Sequence, residues 1–223
     1  MKIDFVSDVS CPWCAIGLNA LEQALDRVAP DIQATLHFQP FELNPQMPAE
    51  GQDTVEHLSQ KYGIDAAQIA ANAEAIRQRG ASVGFTFGQG QRKRIYNTFD
   101  AHRLLHWAGL VDAGRQRALK HALFKAHFTD GLSPGDLGVL LAAAATAGLD
   151  AEQARSILAG DDFADDVREA EGFYHQQGIS SVPAIIINDR HLISGGQPVE
   201  LFERALRHIA AEAATAATTG ASA

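Results

Sequence analysis

Cys11 and Cys14 are the chain's two cysteines, and they share one tetrapeptide, Cys11-Pro12-Trp13-Cys14. A disulfide between them would enclose almost no chain. The stabilisation from a cross-link grows with the loop it closes, so such a bridge would hold little together. The spacing suits exchange chemistry better. One thiolate attacks a disulfide, and a second sulfur one helical turn away releases the mixed disulfide. The competing readings are inert core thiols or half a zinc site. Zinc would need two more ligands from histidines or carboxylates. His102 and His106 stand at i, i+4, but without the HExxH arrangement. Redox chemistry is therefore the preferred reading, and no metal is expected.

The surroundings of the motif favour a reactive sulfur. Ile3–Val6 reads as a strand, and from about Gly17 to Val28 the apolar residues Leu18, Leu21, Leu25 and Val28 recur at helical spacing. The cysteines thus fall where a strand hands over to a helix N-terminus. Unpaired N–H groups and the helix dipole there favour thiolate over thiol. Pro12 fits a first helical turn, where no N–H is needed.

The remaining elements must bring other residues to this corner. Residues 34–41 alternate as a second strand, parallel to the first, and run into the Pro-punctuated stretch Asn44-Pro45-Gln46-Met47-Pro48. From about Thr54 to Gln177 the chain reads as helical. Asp65 caps a helix through Arg79, a second covers roughly Ile95–Ala108, and Asp112 caps a third to Phe128. Ser133-Pro134 opens another, Asp150 caps the next, and Asp162 begins the last. Val83–Gly88 is a short apolar loop or strand between helices. Strand character returns at Val182–Ile187, turns at Asn188-Asp189, and pairs back as His191–Ser194. A final amphipathic helix carries Leu201, Phe202, Leu206 and Ile209.

The order β-α-β, helical insert, β-β-α implies an α/β thioredoxin-like fold with a large all-helical insertion. Residues 1–50 and 179–215 form the thioredoxin-like part, 51–178 the insertion, and 216–223 a disordered tail. At 223 residues with 46% hydrophobic content the chain can bury a substantial core. Its net charge of −9 argues against nucleic acid or an anionic membrane as main partner. The first residues contain no long apolar stretch of the kind found in a cleavable signal, so a cytoplasmic location is expected. In a reducing compartment an isolated CxxC points to catalysis, redox sensing or metal binding rather than structure.

The sequence resembles the DsbA-like thioredoxin-fold oxidoreductases, and within them the FrnE-like cytoplasmic branch. The resembling segments are Ser10–Gly17, Pro40–Pro45, Asn97-Thr98 with Ala101–Leu104, Gly178–Pro183 and Ile193–Gln197. The resemblance implies that Cys11 is an exposed nucleophile and Cys14 the buried resolving thiol. It implies that Pro183 is a cis-proline packed against the pair, leaving the Val182 backbone to bind an extended peptide or glutathione by β-augmentation. Val182 itself shapes the site sterically. Trp13 would shield the pair or form part of the substrate surface. Standing where the CPHC motif of strongly oxidising DsbA has histidine, it predicts a weaker oxidant.

The expected activity is thiol–disulfide exchange on protein or small-molecule disulfides, with no cofactor beyond the redox-active pair and glutathione as a candidate co-substrate. The alternative is glutathione-dependent isomerase or transferase chemistry of the kappa-class or 2-hydroxychromene-2-carboxylate isomerase type. Those proteins usually carry serine where Cys11 stands. A third, non-enzymatic reading is a binding module whose cleft captures a partner. Asn44 equally suits a turn, His102 and Arg103 suit core-edge packing and surface salt bridging at least as well as a role lining the active cleft, and Arg92-Lys93-Arg94 reads as a solvated loop able to attract an anionic substrate.

Overall fold

The structure is a computed structural model that describes residues 1–90 and 92–220, the last five by backbone alone. Strand β1 (Lys2–Ser7) is buried from Ile3 onward, as a strand covered on both faces must be. On one side it pairs in parallel with β2 (Thr35–Pro40), Phe5 opposite Phe38. On the other it pairs antiparallel with β5 (Ala184–Ile187), Phe5 opposite Ile185, and β5 pairs antiparallel with β6 (His191–Ser194). The sheet order is β2-β1-β5-β6.

Helix α1 (Pro12–Val28) packs with α9 (Val199–Gly220) along one face of this sheet. Ile16, Leu21, Phe202 and Leu206 join Ile3, Phe5, Ile185 and Ile187 in one core. Helix α9 runs on to Gly220, so residues 216–220 continue the helix that was expected to give way to a tail. The expected tail's last residues, 221–223, lie outside the described residues.

The middle of the chain is mostly helical: α2 (Thr54–Tyr62), α3 (Ala66–Ser82), α4 (Phe99–Val111), α5 (Ala113–Phe124), a single π turn (Lys125–Thr129), α6 (Leu137–Thr146), α7 (Ala151–Ala159) and α8 (Ala164–Gln176). Several caps fall where the sequence put them. Asp65 forms a capping box with Gln68, while Asp112 and Asp150 accept from the amides of Arg115 and Gln153. Other boundaries shift. Asp136, not Ser133-Pro134, caps α6, and α8 begins at Ala164 after Phe163, whose φ is 63°.

The strand in this region is β4 (Arg94–Ile95), paired with β3 (Gln52–Asp53), and it displaces the expected helix start from Ile95 to Phe99. Val83–Gly88 is a loop whose Phe85 and Phe87 rings pack on Phe128. The helical segment shares its cores with the sheet. Phe85, Phe124 and Phe128 belong to the sheet's core, and Val9, which follows β1, lies in the helices' own core with Leu104, Trp107, Leu123 and Ile157.

Candidate active site

Helix α1 opens directly on the motif. Cys11 is its N-cap residue, with extended backbone (φ −89°, ψ 112°), and Pro12 is the first helical residue. The Cys11 carbonyl accepts from the amides of Cys14 at 3.0 Å and Ala15 at 3.4 Å, and no side chain caps the helix. Both thiols are free. Cys14 is fully buried. Cys11, expected to be exposed, is only 4% exposed, because the segment at Val182 lies over its sulfur.

The two sulfurs are pushed apart in acidity. A hydrogen bond from the Cys14 thiol lowers Cys11 below the usual thiol range against the effect of burial, and the Cys14 and Trp13 amides add to it. Burial, then the neighbouring Cys11 sulfur, raises Cys14 well above that range. This is the division of labour that exchange requires: a more acidic thiol to attack and a less acidic one held in reserve.

The Val182–Pro183 peptide bond is cis, as is Ala29–Pro30. The Cys11 thiol donates to the Val182 carbonyl at 3.5 Å, so the group expected to meet an extended substrate is taken by the nucleophile itself. Two glycines permit this approach. A Cβ on Gly17 would stand 3.1 Å from both the Pro183 ring and Gly196 Cα, and one on Gly196 only 2.9 Å from the Trp13 carbonyl. Trp13, 42% exposed, extends the surface beside the sulfurs.

Beneath the motif lies a buried polar layer that sequence reasoning missed in part. Asp8, between β1 and α1, accepts from the Ser10 amide and hydroxyl and from the Leu43 amide, and His102 Nε2 lies 3.6 Å from it. Burial opposes its ionisation, yet His102 and the two amides hold the carboxyl below the usual carboxylate range. Asp8 therefore stays an anion, and it opposes ionisation of Cys11.

Arg92 corrects the reading of its segment as a solvated loop. Its Nη2 donates to the Ser10 carbonyl at 3.0 Å, its Nε is buried with no partner among the described residues, and its guanidinium lies 5.3 Å from the Phe128 ring centroid on the π turn. Burial lowers its basicity, opposed chiefly by Cys11 and then by Asp8. Arg92 is thus a cation held against the residue preceding the nucleophile. Arg94, by contrast, binds the carbonyls of Glu50 and Gly51.

The undecided residues separate. Arg103 donates to the carbonyls of Ile157, Gly160 and Asp162 and so ties the end of α7 to α4, a packing role. Asn44 accepts from Lys61 Nζ at 2.8 Å and, with Met47, Gln52 and His57, lines a groove of about 340 Å³. His106 and His102 face a small cavity beside β2. Among the described residues no three His, Cys, Asp or Glu side chains gather as metal ligands, and no helix is long and apolar enough to cross a membrane.

A family model described as DSBA-like thioredoxin domain matches residues 2–207. The crystal structure of a probable DsbA oxidoreductase, SCO1869 from Streptomyces coelicolor, is similar, with a TM-score of 0.86 and 34% identity over 93% of this chain and 89% of that one. Two others share the fold at lower identity. A 2-hydroxychromene-2-carboxylate isomerase has a TM-score of 0.71 and 15% identity, covering 96% of this chain and 98% of its own. The cytosolic disulfide reductase DsbM from Pseudomonas aeruginosa, solved with GSH, has a TM-score of 0.65 and 16% identity, covering 93% and 98%.

Proposed function

The chain belongs to the DSBA-like thioredoxin-domain family, and on that premise we propose that it is a thiol–disulfide oxidoreductase of the FrnE-like kind, working in the cytoplasm as a reductase or isomerase. The observation that carries this reading is the polarised pair: Cys11 at the α1 N-cap with its acidity raised, and Cys14 fully buried one turn on with its acidity lowered. The Cys11 thiolate attacks a substrate disulfide, one substrate sulfur leaves as a thiol, and the other remains bonded to Cys11. Cys14 then attacks the Cys11 sulfur, the substrate leaves fully reduced, and the protein carries a Cys11–Cys14 disulfide. Two molecules of a thiol such as glutathione then restore the dithiol and leave as their own disulfide. Pro12 stiffens the turn, and Trp13, Val182 and Pro183 shape the surface that an extended substrate meets.

The glutathione-dependent isomerase or transferase reading has one feature in its favour, an open groove in which Asn44, Gln46, Gln52 and His57 offer polar groups among Pro45, Met47 and Pro48. Retention of both cysteines favours disulfide exchange. An insulin-reduction assay driven by glutathione separates the two. We expect Cys11→Ala to abolish turnover and Cys14→Ala to accumulate a mixed disulfide at Cys11. Full activity of Cys11→Ala would overturn the exchange mechanism.

A further inference from the structure

Lys120, on α5, has no exposed surface, and its Nζ has no hydrogen-bond partner among the described residues. An ammonium in that position is costly, and buried lysines normally have a partner. Its Nζ lies 5.0 Å from the Phe124 ring centroid and 6.0 Å from that of Phe38. It also borders a cavity of about 10 Å³ shared with Gln39, His102 and His106, room for roughly one water. Phe124 and Phe38 pack in the same core as Cys14. His102 and His106 on α4 line that cavity with Lys120, and Cys14 on α1, Asp8 between β1 and α1, and Cys11 at the α1 N-cap are near enough to act on its charge. Burial pushes its amine down to about 8, and Cys14 is the largest of the charges opposing that shift. Lys120 is therefore poised to exchange a proton near neutral pH, in a core that holds the less acidic of the two thiols.

We propose that Lys120 is the buried counter-charge that lets Cys14 ionise when it must resolve the mixed disulfide. The inference rests on the exchange reading above. In the resolving step the Cys14 proton passes to the Lys120 amine, leaving an ammonium to face the thiolate. The thiolate attacks Cys11 Sγ, the bond from Cys11 to the substrate sulfur breaks, and the Cys11–Cys14 bond forms. The substrate leaves as a thiolate and takes a proton from water, so two electrons pass from the dithiol to the substrate. Lys120 acts through Cys14 and is a positioning residue.

The test follows the resolving step alone. Reduced protein is mixed with oxidised glutathione, acid-quenched at intervals, and resolved by mass into the glutathione adduct and the internal disulfide. Lys120→Met, an unbranched apolar chain of similar length, is expected to prolong the adduct at least tenfold at pH 7–8. Its pH profile for resolution should also move upward. Lys120→Arg, which keeps a cation, should recover part of the rate. A Lys120→Met protein with the wild-type rate and profile would overturn the assignment, as would Met and Arg variants impaired equally, since packing alone would then account for the loss. If the wild type forms neither an adduct at Cys11 nor the internal disulfide, the exchange reading itself fails, and this inference falls with it.

Discussion

At the scale of single residues, the reactivity of the pair comes from what surrounds each sulfur. The CPWC spacing is legible because it is local, and so is the helix start that polarises it. The cations are not. Arg92 sits in a basic run that composition alone assigns to solvent, and only the fold brings its guanidinium to the Ser10 carbonyl. Lys120 is one of several polar residues on α5, and nothing in its spacing separates it from the exposed ones. Asp8 looks like an ordinary residue of a turn until its three hydrogen bonds and His102 are seen around it. Cys11 is already more acidic than an ordinary thiol, and Arg92 supplies positive charge nearby. Removing that charge disfavours the anion, so a higher pH is needed to form it. Arg92→Met should therefore shift the pH profile of Cys11 alkylation upward, with Arg92→Lys between it and the wild type. An unchanged profile would mean that the guanidinium serves only to anchor Ser10.

At the scale of elements, the site depends on a helix N-terminus meeting the loop segments at Val182–Pro183 and Gly195-Gly196. Two glycines make that meeting close: Gly17 on α1 and Gly196 before α9. Gly196→Ala would bring a methyl group to within 2.9 Å of the Trp13 carbonyl, which is backbone and yields little. We expect a loss of about 1–3 kcal/mol, read from urea unfolding, together with slower exchange because Trp13 and the motif must shift. Wild-type stability and rate in this variant would show that the segments have slack. Strong local signals predict elements well here: the Asp caps of α3, α5 and α7 are all used. Helix α2 carries Val55, Leu58 and Tyr62 at helical spacing and an Asp53 cap, but it is short and none of its residues is buried, so these signals are weak beside those of its neighbours. Strands β3 and β4 have two residues each, too few for alternation to appear.

At the scale of the whole molecule, the helical segment completes the site. His102 on α4, Lys120 on α5, Phe128 on the π turn and Arg92 in the loop before β4 all belong to it, and each faces the polar layer beneath α1 or borders the core around it. The order of elements in the sequence was enough to infer the thioredoxin-like halves, because strand alternation and helix caps are short-range signals. It said little about which face of the insert meets the motif, because that depends on packing between residues far apart in the chain. The central claim is that Cys11 and Cys14 form a reversible redox couple without the histidine of the strongest oxidants. The most direct test is equilibration of the wild type in glutathione buffers of graded poise, with thiol trapping and mass analysis at each. We expect one reversible transition between dithiol and internal disulfide, with a midpoint well below about −120 mV, the value of a strong oxidant of this kind. A dithiol that forms no internal disulfide at any poise, or a midpoint at or above that value, would contradict it.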